Sequence, residues 1–292
     1  MNCFQFVRSV LDELYEQIRC DYGDQTDQVI KQELKRLSEQ YKSLITGNNI
    51  DYSDLVTRFA YIYTHTTVHA DMVYQIISQS SKLRKVFELP TMSATCIGGG
   101  PGSDFLGILK FITLTSPEKL TKLKCFLCDK AQAWRDSWCD IDEKVSLPVH
   151  TTSTVFWELD ITESDSVQNS TKAFNADLFT MIYCISELYS SREDSRNFFE
   201  AMIHRARPGA CFLFVDNNTR EFYEWFDEVA TQGGLATVKH TEGYHFSLGH
   251  DEQKEELEGY IAKFGWYPKL TTSIAYRIYV KPEEYREYDY LS

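Results

Sequence analysis

One glycine-rich turn constrains the fold of this chain more than any other feature of its sequence. A β-forming run, residues 94–97, leads into the turn, and an apolar helical pattern, residues 105–112, follows it. Glycine adopts positive φ and lets the backbone approach a ligand closely. The following helix presents unpaired N–H groups at its start, where Ser103 or Asp104 is the predicted cap. The sequence therefore predicts a ligand-binding strand–turn–helix unit, with its glycines at Gly98, Gly99, Gly100 and Gly102.

Short β-rich runs alternate with helical patterns from about residue 92 onwards. This alternation is typical of a parallel sheet built from βαβ units. The chain ends on a helix and a strand, which suits a sheet whose last strand lies antiparallel. We therefore expect an α/β fold with a doubly wound, mostly parallel seven-stranded sheet and helices on both faces. The β-rich runs are residues 94–97, 124–128, 154–159, 178–184, 211–215, 236–240 and 271–280.

Residues 1 to about 90 have a helical pattern instead. Apolar residues recur at three- and four-residue spacing in segments 6–18 and 29–41. Residues 51–54 look like a helix start, and further helices are predicted over 55–63 and 68–78. We therefore predict two parts: a helical N-terminal cap over residues 1–90 and a ligand-binding domain over residues 91–292.

The acidic composition limits the partners of this chain. Its 292 residues carry a net charge of −13, whereas proteins that bind nucleic acid usually present a basic face. Small-molecule or protein partners are therefore favoured over nucleic acid, with RNA kept as an alternative. The apolar runs are too short to span a bilayer, and the first residues lack a signal-peptide pattern. We expect a cytoplasmic protein, with the nucleus as the alternative, and no membrane partner.

Two nucleotide classes fit the glycine turn poorly. A P-loop requires a lysine and a hydroxyl residue after its last glycine, and the sequence GSD at 102–104 has no lysine. A dinucleotide site has the spacing G-x-G-x-x-G and an acidic residue about 20 residues on. Here the spacing is G-x-G-x-G, and Asp129 comes about 30 residues after the first glycine. Asp104 would also repel a pyrophosphate, so an NAD(P)-dependent oxidoreductase is the weaker alternative.

The turn resembles the first motif of the class I, Rossmann-like S-adenosylmethionine-dependent methyltransferases, in which a strand meets a G-x-G-x-G turn. The resemblance covers residues 92–280 in the order of elements. It implies that Asp129, ending the second strand, holds the ribose of S-adenosylmethionine, and that Asp160 lies near the adenine. The fourth strand, residues 177–184, would run under the methyl-transfer site, and residues 207–210 look like the turn before the fifth strand. The implied activity is methyl transfer to N or O of an acceptor.

The candidate cofactor residues lie in the turn or close to strand ends. A nearby carboxylate such as Asp104 suits a sulfonium cation. Trp134 follows Asp129 on a predicted helix and could flank the adenine, although core packing is the commoner role of a tryptophan there and at Trp138. The predicted cofactor-binding residues are Gly98, Gly99, Gly100, Gly102, Asp104, Asp129, Trp134, Asp160 and Tyr183.

Methyl transfer needs in-line positioning, and a base only where the acceptor must lose a proton. In the family, residues after the fourth strand face the reacting methyl group. Tyr183 would shape the pocket there, and Glu187 would orient an amine or accept a proton. Asn217, which ends the fifth strand, is the third predicted catalytic residue. Segment 58–69, rich in Tyr and His, is expected either to close the acceptor pocket or to pack as an ordinary helix.

Two spacings invite a metal interpretation, Cys125 with Cys128 and His65 with His69. Strand alternation sends the two thiols to opposite faces, and no second cysteine pair follows at a suitable spacing. The two histidines have no clear third ligand. We therefore predict no metal. A non-catalytic S-adenosylmethionine-binding sensor or scaffold is the principal alternative to an enzyme.

Overall fold

A seven-stranded sheet forms the centre of the computed structural model, which describes residues 1–46, 50–137 and 151–283. Its strands are β1 (Thr91–Ile97), β2 (Lys122–Asp129), β3 (Thr151–Glu158), β4 (Leu178–Ile182), β5 (Cys211–Asn217), β6 (Ala236–Ser247) and β7 (Thr271–Val280). The order across the sheet is β3-β2-β1-β4-β5-β7-β6. The first five strands are mutually parallel, and β7 runs antiparallel to both β5 and β6. The expected doubly wound, mostly parallel sheet is confirmed, and every predicted β-rich run overlaps a strand.

Helices precede the sheet and connect its strands. Before β1 they are α1 (Cys3–Tyr22), α2 (Thr26–Gln40), α3 (Leu55–Tyr61), α4 (Thr67–Gln79) and α5 (Ser81–Val86). After β1 they are α6 (Ser103–Thr115), α7 (Ser166–Asn169), α8 (Cys184–Leu188), α9 (Arg192–Arg205), α10 (Arg220–Gln232) and α11 (Glu258–Phe264). A five-residue π-helix, Ile62–Thr66, joins α3 to α4, and a 3₁₀ segment, Tyr41–Thr46, follows α2.

The strand order reverses direction at β1, and this places three loops together. Ile97, the last residue of β1, pairs with Cys128 of β2 on one side and Met181 of β4 on the other. The carboxyl ends of these parallel strands therefore meet at one edge of the sheet. In doubly wound sheets this reversal opens a crevice outside the strand ends, where ligands bind.

Apolar side chains cover both faces of the sheet, as a mostly parallel sheet requires. On one face, the N-terminal helices and α6 share a hydrophobic cluster with residues such as Leu123 of β2. A β-carbon on Gly107 of α6 would collide with the backbone oxygen of Ala70 in α4, so this glycine permits close packing of the two helices. The cap and the sheet thus share one core, and their division into domains at residue 90 stays a prediction.

One local expectation was wrong. Gly102, in the left-handed conformation, occupies the N-cap position of α6 without a side-chain hydrogen bond, so neither Ser103 nor Asp104 caps this helix. A further helix for which there was no prediction, α5, follows α4, and its N-cap Ser80 accepts a hydrogen bond from the Leu83 N–H. Within the described ranges, the helices lack the combined length and apolar character that crossing a membrane requires.

Candidate functional site

A cleft opens at the carboxyl ends of β1, β2 and β4, beside the point where the strand order reverses. Its volume is about 810 Å³ when the space is counted out to its open mouth. The predicted residues that line it are Gly98, Gly100, Asp129, Trp134, Asp160, Tyr183 and Glu187. Residues that lie far apart in the sequence therefore meet around one cavity.

The glycine turn forms one wall of this cleft through two of its residues. Gly98 has a φ of 63° and Gly100 a φ of 49°, a region that side chains with a β-carbon rarely adopt. A β-carbon on Gly98 would also stand 3.0 Å from the Cys184 Sγ, at the start of α8. The turn therefore brings bare backbone to the cavity surface.

The other two predicted glycines lie outside the lining of the cleft and shape the turn from behind. A β-carbon on Gly99 would stand 2.6 Å from the Leu127 Cδ1 atom, so glycine is needed there for packing against β2. Gly102 has a φ of 83° and begins α6. Both residues therefore shape the path of the backbone behind the cleft.

Asp129 ends β2 opposite the glycine turn and is bonded to it. Its Oδ2 atom accepts the Gly100 N–H at 2.9 Å, and its Oδ1 atom accepts the Ala131 N–H at 2.9 Å. A carboxylate has about four lone-pair sites, so both oxygens keep acceptor capacity for a ligand in the cleft. Burial raises the pKa of Asp129 to about 6, and the two backbone hydrogen bonds counteract this shift.

The two remaining predicted carboxylates have different places. Asp160 lines the cleft after β3, where it accepts hydrogen bonds from the Thr162 N–H at 2.9 Å and the Thr162 hydroxyl at 2.6 Å. Asp104 is buried behind the turn and accepts a hydrogen bond from the Thr180 hydroxyl of β4. Burial raises the pKa of Asp104 to about 6. Asp104 is thus absent from the cleft wall that the described residues form.

Trp134 joins the cleft to the N-terminal segment. Its indole would lie 3.8 Å from a β-carbon on Gly100, and its ring centroid is 5.0 Å from that of Tyr52 and 5.4 Å from that of Tyr61. The side chain is therefore both a packed aromatic and part of the cleft wall. Trp138, its predicted companion, lies outside the described residues.

Tyr183 turns the chain directly after β4. It has a φ of 55°, which is uncommon for a residue other than glycine and marks a backbone held by its surroundings. Its ring stacks on His69 with a centroid distance of 4.3 Å, and its hydroxyl lies 3.0 Å from that of Thr272. Burial raises the pKa of the Tyr183 phenol, which keeps it neutral.

Glu187 lies on α8, lines the cleft and is bonded to two tyrosines that the sequence did not single out, of which Tyr52 also lines the cleft. The hydroxyls of Tyr41 and Tyr52 donate to its Oε1 atom at 2.8 Å and 2.9 Å. Burial raises the pKa of Glu187 to about 7, and the two tyrosine hydrogen bonds oppose that rise. The only sequence signal for these tyrosines is that both lie between α2 and α3.

Asn217, the third predicted catalytic residue, is not one of the described residues that line the cleft. Its backbone N–H instead donates to Asp216, which also accepts the Ser186 N–H at 2.9 Å. Asp216 is fully buried, and burial raises its pKa to about 6. This end of β5 therefore holds the start of α8, the helix that carries Glu187.

Segment 58–69 packs beside the cleft. Tyr61 lines the cavity, and the π-helix that follows contains His65; π-helical turns are frequent at functional sites. Burial lowers the pKa of His65 to about 3 and lowers that of His69 as well, so both imidazoles are neutral.

Cys125 and Cys128 belong to the two hydrophobic clusters that cover opposite faces of the sheet, as strand alternation predicts. Among the described residues, no group of three or more His, Cys, Asp or Glu side chains lies close enough together to hold a metal ion.

Solved methyltransferases have a similar fold. An O-methyltransferase family protein from Burkholderia thailandensis is 13% identical, with 94% of this chain and 72% of that chain covered and a TM-score of 0.48. The CurJ carbon methyltransferase is 13% identical over 93% of this chain and 71% of that chain, with a TM-score of 0.48. The N-methyltransferase NodS from Bradyrhizobium japonicum, in complex with S-adenosylhomocysteine, is 12% identical over 74% of this chain and 100% of that chain, with a TM-score of 0.39.

Sequence comparison adds no assignment, because neither a protein-family model nor a curated protein matches the chain. The strand order carries the structural assignment instead. The order of the five parallel strands across the sheet reverses at β1, and the antiparallel strand β7 lies between β5 and β6. By this topology the chain has the class I, Rossmann-like methyltransferase fold, with no subfamily identified.

Proposed function

We propose that this protein is an S-adenosylmethionine-dependent methyltransferase whose cofactor occupies the cleft between the glycine turn and Asp129. One observation carries the proposal: bare backbone at Gly98 and Gly100 faces the same cavity as the carboxylate of Asp129. Backbone without side chains lets a ligand approach closely, and the carboxylate keeps acceptor sites for the two ribose hydroxyls. The adenine would then extend towards Asp160 and Trp134.

The charge of the cleft supports a sulfonium cofactor over a dinucleotide. Among the described residues, three carboxylates, those of Asp129, Asp160 and Glu187, line the cavity together with one lysine, Lys130. A pyrophosphate would be repelled by this surplus of negative charge, whereas a sulfonium cation is attracted by it. The repulsion that the sequence suggested for Asp104 plays no part, since that side chain bonds to Thr180 behind the turn.

A thermal-shift panel tests the proposal. S-adenosylhomocysteine at about 100 times its dissociation constant stabilises a protein by about 2.7 kcal/mol through mass action. We expect that shift for the wild type and none from NAD(P). Gly100→Val should abolish the shift, because the side chain forces a strained φ and enters the space beside Trp134. Gly234→Val is the matched control, since Gly234 also has a positive φ of 77° but open space around it.

Stabilisation by NAD(P) without stabilisation by S-adenosylhomocysteine would contradict the proposal. Binding of S-adenosylhomocysteine without methyl transfer to RNA, protein or metabolite pools would identify the non-catalytic sensor or scaffold instead. The two results separate the cofactor from the activity.

A further inference from the structure

Glu187 has one oxygen occupied and one available. Both tyrosine hydroxyls, from Tyr41 and Tyr52, donate to Oε1. Among the described residues, no hydrogen bond reaches Oε2, although the residue lines the cleft. Two neutral donors on one oxygen fix the carboxylate in place and leave the second oxygen to a ligand. When the carboxyl is ionised, a ligand group that meets Oε2 is therefore a hydrogen-bond donor.

Three aromatic rings stand in the same cleft as this carboxylate. The rings of Tyr52, Tyr61 and Trp134 contact one another. The ring centroid of Tyr52 lies 5.0 Å from that of Trp134 and 5.4 Å from that of Tyr61, and the centroids of Tyr61 and Trp134 are 5.4 Å apart. All three residues line the cavity. The faces of aromatic rings attract cations, an ammonium group included. A carboxylate beside such rings selects a donor that also carries positive charge.

The position of Glu187 separates it from the cofactor turn. Cys184, at the start of α8, is the residue that a β-carbon on Gly98 would meet. Glu187 lies three residues further along the same helix, on the same face and about 5 Å along the axis. Glu187 therefore lies about one helical turn beyond the residue that contacts the glycine bend.

We propose that the methyl acceptor is a small amine, bound as its ammonium form by Glu187 beside the rings of Tyr52 and Tyr61. This inference rests on the proposed methyltransferase function and names its substrate class. A small amine is favoured because the acceptor must share the carboxyl group of Glu187 with the hydroxyls of Tyr41 and Tyr52, which already occupy one of its oxygens. Phenols, alcohols and carboxylates lack the positive charge that this cleft selects.

The chemistry balances without a further reactant. The ammonium first gives a proton to the Glu187 carboxylate, which frees the nitrogen lone pair. That lone pair forms a bond to the methyl carbon, while the carbon–sulfur bond breaks and its electron pair stays on sulfur. The products are a methylated ammonium and S-adenosylhomocysteine, and Glu187 then releases its proton to solvent. The raised pKa of Glu187, about 7, suits a group that takes and returns a proton near neutrality.

Fractionation of a metabolite extract tests the inference on the full chain. Small molecules from a cell extract are separated on a cation exchanger, and each pool is incubated with the protein and methyl-tritiated S-adenosylmethionine. We expect tritium in products from the retained, cationic pool and none from the flow-through. Matched probes extend the test: 2-phenylethylamine should bind the protein–S-adenosylhomocysteine complex more tightly than 2-phenylethanol.

Two variants assign the effect to one carboxylate. Glu187→Gln keeps an oxygen for the tyrosine hydroxyls but cannot accept the proton, so transfer from the retained pool should fall by about a hundredfold or more. Its affinity for S-adenosylhomocysteine should be unchanged. Glu228→Gln, at an exposed position on α10, is the matched control and should keep wild-type transfer. In the wild type, the rate should rise with pH through about 7, and Glu187→Gln should lack that rise.

The possible failures are distinguishable. If S-adenosylhomocysteine does not stabilise the wild type, the proposed function itself fails. If it does, the amine inference is contradicted by tritium appearing only in flow-through, RNA or protein pools, or by its absence from the retained pool. Equal loss of S-adenosylhomocysteine affinity and transfer in Glu187→Gln would place this carboxylate on the cofactor instead.

Discussion

The Oδ2 atom of Asp129 accepts the backbone N–H of Gly100 at 2.9 Å, so the end of β2 and the turn after β1 are joined directly. Asp129 ends β2 and Gly100 lies in the turn after β1, and these two parallel strands pair up to Ile97 and Cys128. The hydrogen bond holds the turn against the carboxylate. A ligand that contacts both therefore meets two groups that are bonded to each other.

Asp129→Asn should weaken binding of S-adenosylhomocysteine by about tenfold or more, since hydrogen bonds to charged groups contribute about 1.5–3 kcal/mol. An amide has one acceptor oxygen, for which the Gly100 and Ala131 N–H groups and the ribose would compete. Titration calorimetry measures the change. Asp165→Asn, at an exposed site, is the control and should bind as the wild type does. Equal affinity of Asp129→Asn and the wild type would remove the carboxylate from the site.

Glu187 should make the stability of the free protein depend on pH. Its folded pKa, about 7, lies above the ordinary value of 4.5, so the folded state holds the proton more tightly than the unfolded chain. The stability from this group is therefore complete below about pH 4.5 and is lost as the pH rises through about 7. Glu187→Gln lacks this loss. The free energy of unfolding of this variant, relative to that of the wild type, should therefore rise by on the order of 2 kcal/mol when the pH is raised from 5 to 8.

Urea unfolding at both pH values measures that gain. Glu163→Gln, an exposed glutamate in the turn after Asp160, is the control and should show no pH-dependent difference from the wild type. A difference between Glu187→Gln and the wild type that is the same at pH 5 and pH 8 would contradict the account of this carboxyl.

Lys110 should be essential to the attachment of the N-terminal helices. Its Nζ atom lies 2.7 Å from Asp71 of α4, from Asp251 and from Glu252, and its side chain is fully buried. Lys110→Met leaves buried carboxylates without their cation, which costs about 3–5 kcal/mol. Urea unfolding should show that loss. Arg220→Met, which breaks the exposed pair with Glu224, should change the free energy of unfolding little. Equal effects of the two variants would contradict a structural role for the buried cluster.

The sheet could be predicted because its signals are local. Alternation of β-rich and helical patterns predicted every strand, and the run 271–280 matches β7 in full. The six-residue α5 was missed, since Ser81–Val86 is too short to display helical periodicity. The cap of α6 was misjudged because Asp104 has two competing partners, the helix start and the Thr180 hydroxyl, and the second exists only once the sheet has formed.

The site could be predicted only where the fold itself places residues. Asp129, Asp160 and Tyr183 follow strands whose carboxyl ends meet at one edge, so their convergence follows from the topology. Tyr41 and Tyr52 reach Glu187 across 146 and 135 positions of sequence, and no local pattern encodes such contacts. Gly99 illustrates the opposite case, since its sequence position matches a ligand site while its surroundings are the packed side chain of Leu127.

A crystal structure of the protein grown with saturating S-adenosylhomocysteine tests the central claim most directly. The account predicts the ligand in the cleft, with its ribose hydroxyls within hydrogen-bond distance of the Asp129 carboxylate and its backbone-facing side against Gly98 and Gly100. Density for the ligand elsewhere on the protein, or an empty cleft at a ligand concentration that saturates binding in solution, would contradict it.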